Sequence, residues 1–342
     1  MIFVTGGTGM VGAHLLYDLV IKGEKVRALK RAGSSLNQVE KIFSFYTSEY
    51  SSILEKIEWV EGDILDNDSL REHLTGVDQV YHAAAMVSFD SRDSETLIHT
   101  NCVGTANLVD LAISLRISKF CHVSSISAIG SPPEGIEATE EHPWRNTGDH
   151  STYSESKYLS EMEVWRGILQ GLNAVIVNPS VIIGPGDWKS GSNQLFSRVW
   201  HGMKFYVKGG TGFVDVKDVT LAMQLLMVNE NWEAVNNQRY ILNSENIPFR
   251  KFFDMMADKL HVKRAKIPAG RTLLKIAWRL SAIVRILTGI QPSITRDTAR
   301  TAHRLSYYDG SKICRTISFQ YTPIEDSVRR NSLLFLNDNN KL

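Results

Sequence analysis

The sequence is poor in cysteine and lacks any apolar run of membrane-spanning length. Its 342 residues include three cysteines, Cys102, Cys121 and Cys314, which are widely spaced. An odd and scattered set excludes a disulfide framework and indicates a reducing compartment. A transmembrane helix needs about 20 consecutive apolar residues, and no stretch reaches that length. A strand predicted from residue 2 leaves no place for a signal peptide before the fold, so we expect a cytoplasmic protein.

Charge and histidine spacing also exclude whole classes of function. The formal net charge is +1, so nothing in the charge balance points to a nucleic-acid partner. The ten histidines are scattered without metal-ligand spacing, and we therefore expect no catalytic metal. The chain is longer than one ordinary domain, which indicates one large unit or two fused units.

The clearest positive signal is a glycine-rich turn at the start of the chain. The segment MIFVTGGTGMVG places a short apolar run before Gly7, Gly9 and Gly12 in the order G-x-G-x-x-G, and Gly6 gives a second match, G-x-x-G-x-x-G. Glycines allow positive φ angles and the close approach of a ligand, and the N-terminus of the helix that follows attracts a pyrophosphate. Strand, glycine turn and helix in this order predict a dinucleotide site. The candidate contacts are Gly6, Gly9, Met10, Val11 and Gly12.

The second predicted strand, residues 24–29, is followed by basic residues. In NAD-binding units an acidic residue at this position holds the adenosine ribose hydroxyls, whereas this sequence has Lys30 and Arg31. A guanidinium cannot accept a hydrogen bond from a hydroxyl, but it matches a phosphate well. We therefore predict that NADP(H) is preferred over NAD(H), with Arg31 on the 2′-phosphate. A solvated basic turn is the alternative interpretation.

Two further segments follow predicted strands and are therefore expected at the ligand-binding edge of a parallel sheet. Asp63 and Ile64 follow the third strand, residues 57–61, and Asp63 either bonds the adenine amino group or is a plain turn residue. Small side chains after the fourth strand, residues 78–82, would let a cofactor backbone lie close. These small residues are Ala83, Ala84 and Ala85.

Strand and helix patterns alternate over the first ~180 residues, which predicts an α/β fold with a Rossmann-like, doubly wound parallel sheet. We assign residues 1–180 to an NAD(P)-binding domain, with a late strand near 238–243 returning to its sheet. Residues 181–342 are assigned to a smaller mixed substrate-binding lobe. Within that lobe the basic, apolar segment 273–290 either covers the pocket or lies on a membrane surface.

The later elements of the first ~180 residues frame a second candidate site. They are a helix opening at Asn101, a fifth strand over 120–123, a loop over 131–149, a helix from Tyr153 to Leu169 and a sixth strand over 173–177.

A tyrosine and a lysine share one face of the predicted helix that begins at Tyr153. Tyr153 and Lys157 are spaced i, i+4 in YSESK, one turn apart. A tyrosine with its ordinary pKa of ~10 is a poor base near neutrality, and an adjacent fixed positive charge is expected to lower that pKa. Ser124 and Ser125, at the end of the fifth strand, are placed to hold a substrate oxygen. Together with the glycine turn, these residues predict proton exchange beside a dinucleotide.

Seven motifs together resemble the extended short-chain dehydrogenase/reductases of the NAD-dependent epimerase/dehydratase type. They are TGGTGMVG, GDILD, YHAAA, NCVGT, VSSISAIG, YSESK and NPSVIIGPGD. The resemblance covers nearly the whole chain. Within the family the sequence looks like dihydroflavonol-reductase-like and 3β-hydroxysteroid-dehydrogenase-like members. The resemblance implies that Tyr153 is the acid/base and that Lys157 lowers its pKa and binds the nicotinamide ribose. It also implies that Ser125, rather than Ser124, orients the substrate.

The same resemblance implies roles for three further residues and an oligomeric state. Asn101 matches the family's helix asparagine, and Pro179 and Ser180 match the segment beside the nicotinamide. A homodimer built on the Asn101 and Tyr153 helices is expected.

One segment departs from the pattern of the sugar-nucleotide enzymes of this type, which carry R-x-x-N-x-x-G after the sixth strand. Here Asn178 takes the arginine position and Val181 the asparagine position. We therefore predict an NADP-dependent oxidoreductase that interconverts a ketone or aldehyde and an alcohol. The alternatives are an NAD-dependent sugar-nucleotide epimerase or dehydratase and a non-catalytic dinucleotide-binding protein.

Overall fold

A seven-stranded sheet forms the centre of the computed structural model, and every pair of neighbouring strands in it is parallel. The described residues are 1–88, 90–130, 132–133, 135–145, 150–270, 272–274, 276–279 and 302–339. The strands of the sheet are β1 Ile2–Thr5, β2 Val26–Lys30, β3 Glu58–Glu61, β4 Gln79–His82, β5 Lys119–Val123, β7 Ala174–Pro179 and β11 Gln238–Leu242. Their spatial order is β3-β2-β1-β4-β5-β7-β11. The order reverses between β1 and β4, and such a point is where ligands bind in open α/β sheets.

The sheet is buried on both faces, as alternation along β1 shows. Phe3 packs into one hydrophobic core and its neighbour Val4 into another, because successive strand side chains point to opposite faces. Both side chains are fully buried. This two-sided burial confirms the predicted doubly wound α/β architecture.

Helices connect the parallel strands and pack on both cores. The helices with described bounds are α1 Met10–Ile21, α2 Asn37–Ser44, α3 Tyr50–Leu54, α4 Asn67–Leu74, α5 Ser94–Ser114, α6 Ile126–Ile129, α7 Thr152–Leu169, α8 Gln194–Trp200, α9 Val216–Met227, α10 Asn229–Val235, α11 Phe249–Lys259, α12 Ser311–Thr316 and α13 Ile324–Asn339. Helices α1, α2 and α9 contribute to one core, and α4, α5 and α7 to the other. No helix of the described ranges has the length and apolarity needed to cross a bilayer.

Smaller sheets lie outside the central one. Strands β8 Val181–Ile183 and β10 Gly210–Asp215 pair in parallel, and β12 Glu245–Pro248 adds to β10 antiparallel. The two-residue strands are β6 Glu137–Ala138, which pairs with β14 Tyr307–Tyr308, and β9 Phe205–Tyr206, which pairs with β13 Ile267–Pro268. The division of the chain at residue 180 stays a prediction.

The structure corrects two predicted elements. Helix α5 begins at Ser94 rather than at Asn101, because Leu97 is fully buried and anchors the first part of the helix, whose side chains are mostly polar. The loop predicted over 131–149 contains the short strand β6. Most of the predicted helix over 273–290 lies outside the described residues.

Candidate active site

The glycine turn joins β1 directly to α1. Gly6 has a φ of +72°, and a Cβ there would lie 2.5 Å from a backbone nitrogen of the segment after β4. A Cβ at Gly12 would lie 2.1 Å from the Gly6 carbonyl oxygen. Gly9 is the N-cap of α1, and neither a capping side chain nor an acidic residue occupies the first turn, which contains Met10 and Val11. The turn therefore fits a dinucleotide, because no side chain competes for the N–H groups that would bind its pyrophosphate.

A buried chain of hydrogen bonds connects the end of β1 to α5. The Thr105 hydroxyl donates to the Asn101 carbonyl at 2.6 Å, so it accepts from His82 Nε2 at 2.9 Å. His82 Nδ1 then accepts from the Thr5 hydroxyl at 2.7 Å, and Thr5 Oγ1 accepts from the Ala84 N–H at 3.3 Å. Burial lowers the pKa of His82 to about 3, so its ring is neutral. No pattern in the sequence had indicated a role for His82.

The two basic residues predicted to bind the cofactor have different environments. Lys30 forms an ion pair with Glu61 on the neighbouring strand β3. Arg31 is exposed, and among the described residues its guanidinium has no ion pair or hydrogen bond. Of the two side chains, Arg31 is therefore the one available for a phosphate.

Asp63 and Ile64 lie just after β3 and have local structural roles. The Asp63 carboxylate accepts a hydrogen bond from the Leu65 N–H at 2.9 Å, which is the geometry of a turn residue. Ile64 is buried against Gly104 of α5, where a Cβ would lie 2.4 Å from Ile64 Cδ1. The glycine therefore lets α5 approach the end of β3.

Ser125, Tyr153 and Lys157 meet at the end of β5. Ser125 caps α6, where its Oγ accepts from the Ser127 N–H at 3.1 Å, and it is hydrogen-bonded to Tyr153. Lys157 lies one turn further along α7 and donates from Nζ to the Val123 carbonyl at 2.8 Å. The loop after β5 and the first two turns of α7 thus bring together the three residues that the sequence singled out.

The charges at this site differ from the expectation. Burial raises the pKa of Tyr153, and its hydrogen bond with Ser125 acts in the opposite direction. Lys157 is not among the groups that shift the pKa of Tyr153 in this structure, because its ammonium is directed at a backbone carbonyl. The expectation that Lys157 lowers this pKa therefore stays a prediction. Burial lowers the pKa of Lys157 to about 8, and the carboxylate of Glu161 opposes that change.

Asn101 holds neighbouring segments together rather than facing Tyr153. Its amide nitrogen donates to the Met86 carbonyl at 3.0 Å and to Ser156 Oγ at 3.1 Å, and its oxygen accepts from the Met86 N–H at 2.7 Å. The side chain is buried, and these bonds join α5 to α7 and to the segment after β4. Asn101 thus links these segments in this structure, and the catalytic role predicted for it stays a prediction.

A buried carboxylate that was not predicted from the sequence lies behind Ser125 and Lys157. Glu161 is fully buried on α7 and accepts from Ser124 Oγ at 2.6 Å and from Asn178 Nδ2 at 2.7 Å. Arg239 of β11 donates to it at 2.9 Å. The Ser124 hydroxyl is therefore engaged in its hydrogen bond to Glu161, and Ser125 is the serine beside the tyrosine. The feature of the sequence that could have indicated Glu161 is its i, i+4 spacing from Lys157.

Pro179 and Ser180 lie where β7 ends. Pro179 pairs with Leu242 of β11, and the Ser180 N–H donates to the Leu242 carbonyl at 2.9 Å. Ser180 is buried, and its hydroxyl has no hydrogen-bond partner among the described residues. The pair thus lies at the same edge of the sheet as the glycine turn.

Comparison with known proteins assigns the family. Residues 2–240 match the NAD dependent epimerase/dehydratase family. A Synechocystis protein named provisionally as a dihydroflavonol 4-reductase is 31% identical over 329 residues, covering 95% of this chain and 92% of the relative. Sterol demethylase protein B of Methylococcus capsulatus is 33% identical over 246 residues, covering 71% and 69% of the two chains.

A solved structure shows the same arrangement of the whole chain. The crystal structure of gox2253 superposes with a TM-score of 0.81 at 29% identity and covers 99% of this chain and 98% of that one. This agreement and the family match confirm the resemblance stated from the motifs. The chain belongs to the NAD-dependent epimerase/dehydratase family, the extended short-chain dehydrogenase/reductases, and is an NAD(P)-dependent oxidoreductase.

Proposed function

We propose that the protein interconverts a ketone or aldehyde and an alcohol, with NADP(H) as its preferred cofactor. The observation that carries this proposal is the convergence of Ser125, Tyr153 and Lys157 at the end of β5. They lie at the same edge of the sheet as the glycine turn after β1. A dinucleotide held by that turn would therefore reach toward the tyrosine along the strand ends.

In this proposal the chain's own residues handle the proton, and the bound nicotinamide supplies or takes up the hydride. Ser125 Oγ donates a hydrogen bond to the substrate oxygen and orients the carbonyl. Tyr153 gives its Oη proton to that oxygen as negative charge develops on it. Burial keeps Tyr153 protonated beforehand, as a general acid requires. The cationic side chain of Lys157 then stabilises the phenolate left behind.

Substituting Tyr153 by Phe tests this role. We expect Tyr153→Phe to lose about 10²- to 10⁴-fold in kcat for reduction of a ketone with NADPH, because general acid catalysis contributes that range. Cofactor affinity, measured by fluorescence titration, should change little. The matched control is Tyr158→Phe, since Tyr158 lies on α7 and stacks on Trp144 at 4.4 Å through a ring that Phe retains. Equal turnover by Tyr153→Phe and the wild type would remove Tyr153 from the mechanism.

The preference for NADP(H) rests on the end of β2. Arg31 is exposed there, whereas Lys30 is already paired with Glu61. A guanidinium matches the 2′-phosphate that distinguishes NADP from NAD. Dissociation constants for NADPH and NADH test the preference, and tighter binding of NADH would contradict it.

The sugar-nucleotide alternative is less well supported by the residues after β7. Asn178 stands where the related enzymes carry arginine, and its amide donates to Glu161 and to the Ser125 carbonyl at 3.1 Å. Its side chain is thus engaged inside the protein rather than presented to a diphosphate. An epimerase recycles its cofactor within one turnover, so purification with stoichiometric NAD bound would favour that alternative.

We also propose a homodimer built on α5 and α7, as the family resemblance implies, and a cytoplasmic location. Both helices have exposed apolar residues, Val103 on α5 and Leu169 at the end of α7. Light scattering would test the dimer, and a solution mass of one chain would exclude it. Fractionation of cells would test the location.

A further inference from the structure

Behind Ser125 and Lys157 lies a polar cluster that no step of the proposed reaction uses directly. We define the Glu161 cluster as Glu161, Ser124, Asn178 and Arg239. Its members come from α7, from the end of β5 and from the neighbouring strands β7 and β11. The other three side chains all donate to the carboxylate of Glu161, which is fully buried.

The contacts of Asn178 and Ser124 link this carboxylate to Ser125. Ser124 precedes Ser125 in the chain and donates its hydroxyl to Glu161 Oε2 at 2.6 Å. The Asn178 amide donates both to that oxygen, at 2.7 Å, and to the Ser125 carbonyl, at 3.1 Å. Glu161 thereby fixes the backbone on both sides of the residue that bonds Tyr153.

Spacing and charge link the same carboxylate to Lys157. Both residues lie on α7 at i, i+4, and the negative charge of Glu161 raises the pKa of Lys157 against the effect of burial. The other titratable groups facing Lys157 are Tyr153 and the rings of His82 and His122. Burial holds both rings neutral, so Glu161 supplies the anionic charge.

Charged groups around Glu161 come from other elements. Arg239 pairs with Glu161 Oε1 at 2.9 Å and also donates from Nε to the Glu140 carbonyl at 2.7 Å. Lys312 of α12 lies behind Arg239 and donates to its carbonyl at 3.0 Å. Arg239 thus balances the charge of Glu161 from β11, whereas Lys157 lies on the same helix as Glu161.

We infer that Glu161 is a positioning residue for the proposed proton exchange, which fixes Ser125 relative to α7 and places a negative charge one helical turn from Lys157. The inference rests on the proposed function, because it assigns Glu161 a task in that reaction. A carboxylate with a merely structural role would affect folding without changing the titration of Lys157.

Carbon-13 NMR of protein labelled at the lysine Cε, recorded over a pH series, tests the inference, because Lys157 is buried and a chemical label would not reach it. The Cε resonance of Lys157, identified by its loss in Lys157→Met, reports the titration of that ammonium without any turnover. In Glu161→Gln we expect the titration to move down by roughly one pH unit, because loss of a nearby opposite charge disfavours the cation. The alkaline limb of the kcat profile for ketone reduction should move by the same amount.

Two variants serve as controls. Glu163→Gln removes a carboxylate from the same helix that pairs with Arg166 at 2.7 Å, away from the cluster, and should leave the Lys157 titration unchanged. Glu161→Asp keeps the charge but shortens the side chain, so it should keep the titration near that of the wild type while kcat falls.

A buried arginine left without its anion can prevent folding, so the double variant Glu161→Gln/Arg239→Met provides a neutral alternative. It should also show a downward shift, because the carboxylate that raises the pKa of Lys157 is absent from this variant too. An unchanged Lys157 titration in either folded variant overturns the inference. A shifted titration in a protein whose wild type reduces no ketone with NADPH would support the charge coupling and overturn the proposed reaction.

Discussion

At the scale of single residues, Lys30 and Arg31 are adjacent and equally charged but differ in what they can bind. Lys30 forms an ion pair with Glu61 on the neighbouring strand, so a phosphate would have to displace that carboxylate. Arg31 extends from the end of β2 into solvent. A cofactor phosphate reaching this edge would therefore form its charge-assisted hydrogen bonds with Arg31.

Reversing the charge of Arg31 should change the cofactor preference. We expect Arg31→Asp to weaken NADPH binding by roughly 10- to 100-fold, since a hydrogen bond to a charged group contributes about 1.5–3 kcal/mol. NADH binding should be kept or improved, because a carboxylate accepts from ribose hydroxyls. Fluorescence titration with each cofactor measures both effects. Lys56→Asp makes the same charge change just before β3 and serves as the control, and an equal loss of NADPH affinity there would contradict the prediction.

Ser124 and Ser125 show how far the role of a single residue can be predicted from the sequence. The Ser-Ser strand end predicted a substrate hydroxyl, and the resemblance chose Ser125. The physical reason for that choice is the bond from Ser124 to Glu161, which joins two residues far apart in the chain. No local pattern predicts such a contact, so Asn178 and His82 could not be assigned roles from the sequence. For Glu161 the sequence offers its i, i+4 spacing from Lys157, which does not reveal the contact with Ser124.

At the scale of elements, the strongly periodic segments were predictable and the weakly patterned ones were not. Helix α7 runs over Thr152–Leu169, one residue from its predicted start, because its capping Ser151 and apolar spacing mark it clearly. The start of α5 was missed, since only the buried Leu97 marks its polar first turns. The pairing of β6 with β14 was also missed, because two-residue strands have no periodicity.

Removing the amide that joins α5 to α7 should affect stability and catalysis together. Asn101→Ala leaves both backbone groups of Met86 and the Ser156 hydroxyl without this partner. We expect the free energy of unfolding to fall by about 1–3 kcal/mol. We also expect kcat to fall by roughly 10-fold or more, because small misplacements of reacting groups are costly. Urea unfolding and steady-state kinetics measure the two effects.

Asn231→Ala is the matched control for Asn101→Ala. Within the part of the chain that the structure describes, the Asn231 amide donates only to the Leu225 carbonyl, at 2.8 Å, far from Tyr153 in the chain. This variant should keep the wild-type kcat. A normal kcat in a clearly destabilised Asn101→Ala would show that the α5–α7 link serves folding alone.

At the scale of the whole molecule, the fold could be predicted because alternate side chains along each strand pack into two separate cores. The smaller sheets beyond β7 are held by aromatic packing instead, such as the stacking of Phe213 on Phe252 at 4.1 Å. Contacts of this kind join β10 to α11 and carry no periodic signature. Neither the shape of the substrate region nor the identity of the carbonyl compound could therefore be derived from the sequence.

Three fully buried histidines, His14, His82 and His122, should make the whole molecule sensitive to acid. Burial lowers the pKa of His14 to about 4, that of His82 to about 3 and that of His122 well below its usual range. Unfolded histidines titrate near 6.5, so below that pH the unfolded chain binds protons that the native protein does not. Stability conferred by neutral histidines is thus present above pH 6.5 and is lost as the pH falls toward 4.

The variant His122→Leu removes one of these three titrating side chains and so measures its contribution. Each such histidine lowers the free energy of unfolding by about 1.4 kcal/mol per pH unit within its window. Buried carboxyls with raised pKa values, such as that of Asp218, act in the opposite direction, so the difference between variant and wild type is the informative quantity. Urea unfolding at intervals between pH 7 and 4 should give a shallower decline for His122→Leu, by about 1.4 kcal/mol per unit. Parallel curves would mean that His122 is already protonated in the native core.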